Sequence, residues 1–190
     1  STISTAESVD LIRRAKAKGI QVTCEVAAHH LVMTDELVIS FDSYYKVSPP
    51  LRTAEDREAL LNGVKDGTID AIVSQHTPHE VEYKEVEYQI AAEGIIGLQT
   101  VLPLVIQAGL TVDQIVDKLA IGPRRVLGLP IPEFRAGIAA NLVLFDVNKS
   151  WRFDQQTNRS KSSNSPLFGH TLKGAVTMVI NKRQTANTQL

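Results

Sequence analysis

An α/β fold built from parallel β/α units is what this sequence predicts, and three observations predict it. From the N-terminus to about residue 130, short apolar runs of strand character alternate with stretches of helical periodicity. The run Ile69-Asp70-Ala71-Ile72-Val73 is short, rich in β-branched residues and preceded by Asp66-Gly67, as a buried strand of a parallel sheet is. It leads straight into Ser74-Gln75-His76-Thr77-Pro78-His79, a polar cluster at the C-terminal end of a strand, where such folds place their sites.

Each element has its own signal. Ser4-Thr5-Ala6-Glu7 fits a capping box with Ser4 as the cap and Glu7 reaching back. Val9, Leu11, Ile12 and Ala15 give the following helix its apolar face, and Gly19 stops it. Ile20 to Val26 reads as a strand, followed by a loop with His29 and His30. A short helix is expected from Thr34, because Asp35 and Glu36 suit a helix N-terminus. Tyr44 to Val47 reads as the next strand, ended by Ser48-Pro49-Pro50. Thr53 with Asp56 caps a helix through Leu60 and Leu61 to about Gly63, and the strand at 69–73 follows.

Beyond the histidines, Glu80 to Ala92 is a long acidic loop, either a lid or a solvated excursion. It carries Glu80, Glu82, Glu85 and Glu87 with Tyr83 and Tyr88, which makes it a candidate partner surface. An apolar helix is expected over 98–108, with Pro103 kinking it or marking its first turn. Thr111 to Gln114 opens another helix, and Gly122-Pro123 begins a last one ending near Gly128. Pro130, Pro132 and Gly137 then mark a domain boundary, dividing residues 1–130 from 131–190. Asn141 to Asp146 and Gly174 to Ile180 read as strands, separated by a polar stretch over 158–165, and the residues after Lys182 are expected to fray.

Bulk properties narrow the function. A chain of 190 residues, 43% hydrophobic and with net charge −1, can bury a real core and offers no basic surface for nucleic acid. No apolar run approaches a membrane span and no signal peptide opens the chain, so no membrane association is expected. The sole cysteine, Cys24, fits a buried position and a reducing cytoplasm. Three parallel strands with their helices cannot close a barrel, so either a partner supplies the rest or, the favoured expectation, the chain is a piece of a larger protein.

Several stretches together resemble the class I dihydroorotases of the amidohydrolase superfamily. They are Ser4 to Val9, Val22 to Leu31, Lys46-Val47-Ser48-Pro49-Pro50-Leu51-Arg52, Ile69 to His79, Gly94-Ile95-Ile96-Gly97-Leu98-Gln99-Thr100, Ala140 to Asp146 and Ser160 to Pro166, in the family's order. The resemblance implies the C-terminal half of a (β/α)8 TIM barrel, then part of a small β-sandwich, with the N-terminal half and its His-x-His metal pair lying outside this chain. Family enzymes open and close the dihydroorotate ring at a zinc site, where zinc polarises the amide carbonyl and supplies hydroxide.

Carried over residue by residue, the family's proton-collecting aspartate falls on Gln75, a metal-binding histidine on Thr2 and a substrate-contacting asparagine on Ser48. All three are changed. His79 and Gly94 keep substrate-contacting positions, and His29 and His30 match residues that are not metal ligands. A glutamine cannot bind metal as an anion or accept a proton at neutral pH, and a threonine hydroxyl is not among zinc's usual donors. The resemblance therefore implies a non-catalytic homologue with no cofactor, most like the inactive chains that scaffold aspartate transcarbamoylase, whose catalytic subunit would be its partner in a homo-oligomeric assembly. An active zinc-dependent dihydroorotase is the alternative. A hydantoinase-like enzyme is less favoured, since Lys46 to Arg52 follows the dihydroorotase branch.

Overall fold

The computed structural model describes residues 1–187; the expected fraying after Lys182 falls partly on 188–190, outside the described residues. Helix α1 (Ala6–Ala17) precedes strand β1 (Glu25–Ala27), helix α2 (Ala54–Lys65) and strand β2 (Ala71–Val73). β1 and β2 pair in parallel, Glu25 opposite Ala71 and Ala27 opposite Val73. Isolated parallel bridges join Thr2 to Glu25 and His76 to Ile95. Four segments thus run side by side in chain order, with the intervening helices packed on them, as repeated β/α units require.

Helix starts follow their capping chemistry, with one correction. Thr5, not Ser4, caps α1, its side chain accepting from the Ser8 amide at 3.2 Å. Ser4 is buried, and its hydroxyl accepts from Arg52 Nε at 3.3 Å. The first amide of the helix, that of Ala6, donates to Asp56 Oδ1 at 2.7 Å. Asp56 itself sits in the first turn of α2, whose cap Thr53 bonds its amide. One carboxylate therefore ties two helix starts together.

Two strands differ from expectation. The first covers only Glu25–Ala27, because the Ile20 amide folds back onto the Ala15 carbonyl at the end of α1. Tyr44 to Val47 is no strand. Asp42 accepts from the Tyr44 amide at 2.9 Å and starts a single 3₁₀ turn over Ser43–Tyr45, so the β-prone tyrosines are spent on a turn. The acidic loop contains a helical turn, α3 (Val81–Lys84). Helix α4 (Val101–Gln107) takes Pro103 in its first turn, where no amide hydrogen is needed. Helix α5 (Val112–Val116) opens with the Thr111–Gln114 capping box and passes through a π-turn at Asp117–Ile121 into α6 (Gly122–Val126).

The last part of the chain is an antiparallel meander of β3 (Asn141–Arg152), β4 (Thr171–Asn181) and β5 (Gln184–Asn187). β3 runs past Asp146 because its carboxylate accepts from the Asn148 and Lys149 amides and holds an irregularity in the ladder. β5 supplies order where fraying was expected. The main core gathers Val9, Val26, Leu60, Ile69, Ile72, Leu104 and their neighbours, with Cys24 buried among them. A second cluster joins Trp151, Phe153, Leu172 and Ala175 of the meander region to Ile96. Trp151 donates its indole hydrogen to the Gly174 carbonyl at 2.9 Å. No helix of the described residues is long and apolar enough to cross a membrane.

Candidate functional site

Beyond the C-terminal ends of β1 and β2 lies a cavity of about 230 Å³ lined by His29, Val47, Ser48, Gln75, Thr77, Glu93, Gly94 and Ile95. Gln75 lies two residues beyond the end of β2 and has φ +44°; its Nε2 donates to the Ser48 carbonyl at 3.2 Å. That bond commits the amide nitrogen to one wall of the cavity. Gly94, at φ +114°, forms the opposite wall, and a Cβ there would meet the Thr77 side chain at 2.6 Å.

His29 is the residue the sequence undervalued. It was expected to be structural, and it is indeed buried, at 2% exposure, yet it lines the cavity and its Nε2 has no hydrogen-bond partner. Burial, with a smaller push from neighbouring His30, lowers its pKa to about 3, so the ring is neutral at physiological pH. His30 stacks beside it, ring centres 4.5 Å apart, and donates Nε2–H toward the Pro49 and Pro50 carbonyls. Burial holds His30 below the ordinary histidine range as well.

Of the other expected site residues, Ser48 and Gly94 meet Gln75 at the cavity, while His79 and Thr2 do not line it. His79 Nε2 donates to the Glu93 carbonyl at 2.9 Å, so it braces the rim from behind, and its own amide donates to Asn164 Oδ1 at 3.1 Å. Thr2 lies lower on the ladder, beside Glu25, and donates its hydroxyl to Glu25 Oε1 at 3.0 Å. His76 accepts the Gly97 amide at Nδ1 and so carries its proton on Nε2.

Two supporting residues carry no signal in composition or periodicity, although Asn164 lies in one of the stretches that resemble the family. Asn164 is buried and donates Nδ2 to the carbonyls of Thr77 and Gly94, linking the polar stretch near 160 to the cavity. Lys84 is wholly buried under the acidic loop, its ammonium surrounded by backbone carbonyls. A side chain of a helical turn in an acidic loop ordinarily faces water, and no periodicity distinguishes one that turns inward.

Neither of the two positions that the family resemblance assigns to metal binding carries an ordinary zinc donor. Gln75 offers at most a neutral carbonyl oxygen, and the Thr2 hydroxyl is spent on Glu25. Among the described residues no group of three or more His, Cys, Asp or Glu side chains is placed to hold a metal ion.

Comparison with known proteins places this geometry. Over 179 residues the chain is 42% identical to a dihydroorotase of Acetivibrio thermocellus, a match covering 92% of this chain and 42% of that protein. A dihydroorotase of Caldanaerobacter subterraneus is 43% identical over 187 residues, covering 96% and 43%. Both of these relatives carry the name dihydroorotase. The chain spans less than half the length of these relatives. No protein-family model matches it. Among solved structures, the L-hydantoinase of Arthrobacter aurescens superposes with a TM-score of 0.87 at 27% identity, over 100% of this chain and 44% of that one. The inactive dihydroorotase-like domain of a multifunctional protein of Chaetomium thermophilum superposes with 0.68 at 23% identity, over 97% and 50%, a likeness of fold alone. The four parallel segments are accordingly part of an amidohydrolase-type TIM barrel.

Proposed function

We propose that this chain is part of a non-catalytic dihydroorotase homologue that serves as a structural subunit of an aspartate transcarbamoylase complex in cytoplasmic pyrimidine biosynthesis. The observation that carries the reading is the uncharged amide of Gln75, seated beyond β2 and bonded to the Ser48 carbonyl. It stands where the family resemblance calls for an ionised carboxylate. Removing a positioned general base alone costs about 10²–10⁴ in rate. Ser48 and Thr2 are altered as well, so one lesion is not the whole of it. On this reading the protein binds no zinc, assembles as a homo-oligomer and takes the transcarbamoylase catalytic subunit as its partner.

A second reading, an active zinc-dependent dihydroorotase, is supported by the relatives' names and by the retention of His79 and Gly94. One experiment separates the two. The full-length protein is purified alone and with its own transcarbamoylase, and zinc content, dihydroorotate hydrolysis and co-elution are measured. The expected result is a joint complex, no stoichiometric zinc and no hydrolysis, with Gln75→Asp failing to restore turnover because Ser48 and Thr2 remain. Bound zinc with turnover overturns the proposal in favour of the second reading; separate elution with unaltered transcarbamoylase activity removes the structural role.

A further inference from the structure

The loop leading into the Gly94 wall of the cavity is held by two lysines rather than by a sheet. Lys84, with 0% exposure, points its ammonium at three carbonyls: Ala92 at 2.8 Å, Gly94 at 3.2 Å and Lys46 at 3.5 Å. The Lys46 carbonyl also accepts the Gly94 amide at 2.9 Å. Lys46 in turn bonds the Gln89 and Ala91 carbonyls at 2.9 and 2.8 Å and lies over the Tyr88 ring. Ser43 donates its hydroxyl to the Lys84 carbonyl, so the backbone beneath the ammonium is pinned too.

These bonds span the cavity's two walls. Ser48, whose carbonyl holds Gln75, lies two residues beyond Lys46, and Gly94 is the wall opposite. We propose that Lys84 is a positioning residue for this cavity, setting the separation of Gly94 from the Lys46–Ser48 segment through the carbonyls it gathers. The role does not depend on whether the cavity is catalytic. Without the Lys84 amine, charged or neutral, the Ala92 carbonyl loses its donor, while the Gly94 and Lys46 carbonyls are left to Asn164 Nδ2 and the Gly94 amide, so the loop and Gly94 are loosened together.

The charge on Lys84 gives the role a signature that ordinary packing lacks. Burial first, and the nearby Lys46 second, lower its pKa to about 8, against the smaller opposing pull of Asp42 and Glu93. Opening the loop returns the group to water and toward its ordinary value of 10.5. Between about pH 8 and 10.5 the open form therefore holds the extra proton, and raising the pH through that window favours the closed form.

The test is amide exchange on the full-length protein, expressed as protection factors at Ala92 and Gly94 and, for reference, in α2. In the unaltered protein, protection at Ala92 and Gly94 should rise between pH 8 and 10. Lys84→Met should lower it about tenfold or more at these two amides, leave α2 unchanged and abolish the rise. Lys84→Arg, always charged, should recover part of the protection without the rise. A uniform loss across the reference helix, or unchanged protection at Gly94, overturns the proposal. Should Lys84→Met not accumulate, the unaltered protein decides alone, and a flat profile from pH 8 to 10 overturns it.

Discussion

His29 couples folding to acidity. Its native pKa of about 3 lies far below the ordinary 6.5, so beneath pH 6.5 the unfolded chain takes a proton that the native ring refuses. The stabilisation is complete above 6.5 and is lost as the pH falls toward 3, by about 1.4 kcal/mol per pH unit for one such group. Urea midpoints between pH 6 and 4 should fall less steeply for His29→Gln than for the unaltered protein, whatever the variant's stability at neutral pH. The burial of this ring was readable, since Ala27, Ala28 and Leu31 flank it with apolar side chains. Its place on the cavity wall was not, because that depends on how Val47 and Gly94 approach from other parts of the chain.

Among the elements, close approach decides more than propensity. A Cβ on Gly97 would stand 2.2 Å from the Ser74 carbonyl oxygen, at the strand end that carries Gln75. Gly97→Ala should cost about 3 kcal/mol in urea unfolding, since backbone on both sides cannot yield easily. Gly109→Ala, with nothing within 4 Å but φ +77°, is the control and should cost about 1 kcal/mol. Helix starts at Thr53 and Thr111 were legible because their hydroxyls bond amides three residues on. The segment around Tyr44 was not: its residues favour strands, and the neighbouring Asp42 carboxylate outweighs them by closing a turn.

At the scale of the molecule, Asn164 is a main tie between the meander region and the cavity, beside the Ser162 hydroxyl, which donates to the His79 carbonyl, and the apolar contacts of Ile96. Asn164 donates to Thr77 and Gly94 and accepts from the His79 amide, residues as far as 87 positions away. Asn164→Ala should lower stability by about 2–3 kcal/mol in thermal unfolding and speed exchange of the His79 amide, because the groups it leaves are largely out of water. The polar stretch holding Asn164 reads as a linker in composition, and only the family resemblance marks it. The parallel order was readable from alternation, whereas the docking of β4 on α4, where Ile106 fills the space beside Gly174, has no sequence signal.

The backbone at residue 75 has a preference of its own. Its positive torsion is uncommon for any side chain, yet aspartate and asparagine tolerate it several-fold better than most residues. Glutamine, one methylene longer, lacks their local bonding and carries the conformational cost instead. The chain keeps a bend suited to a short acid while presenting a longer amide upon it, and that mismatch is borne by the folding energy of the strand end itself.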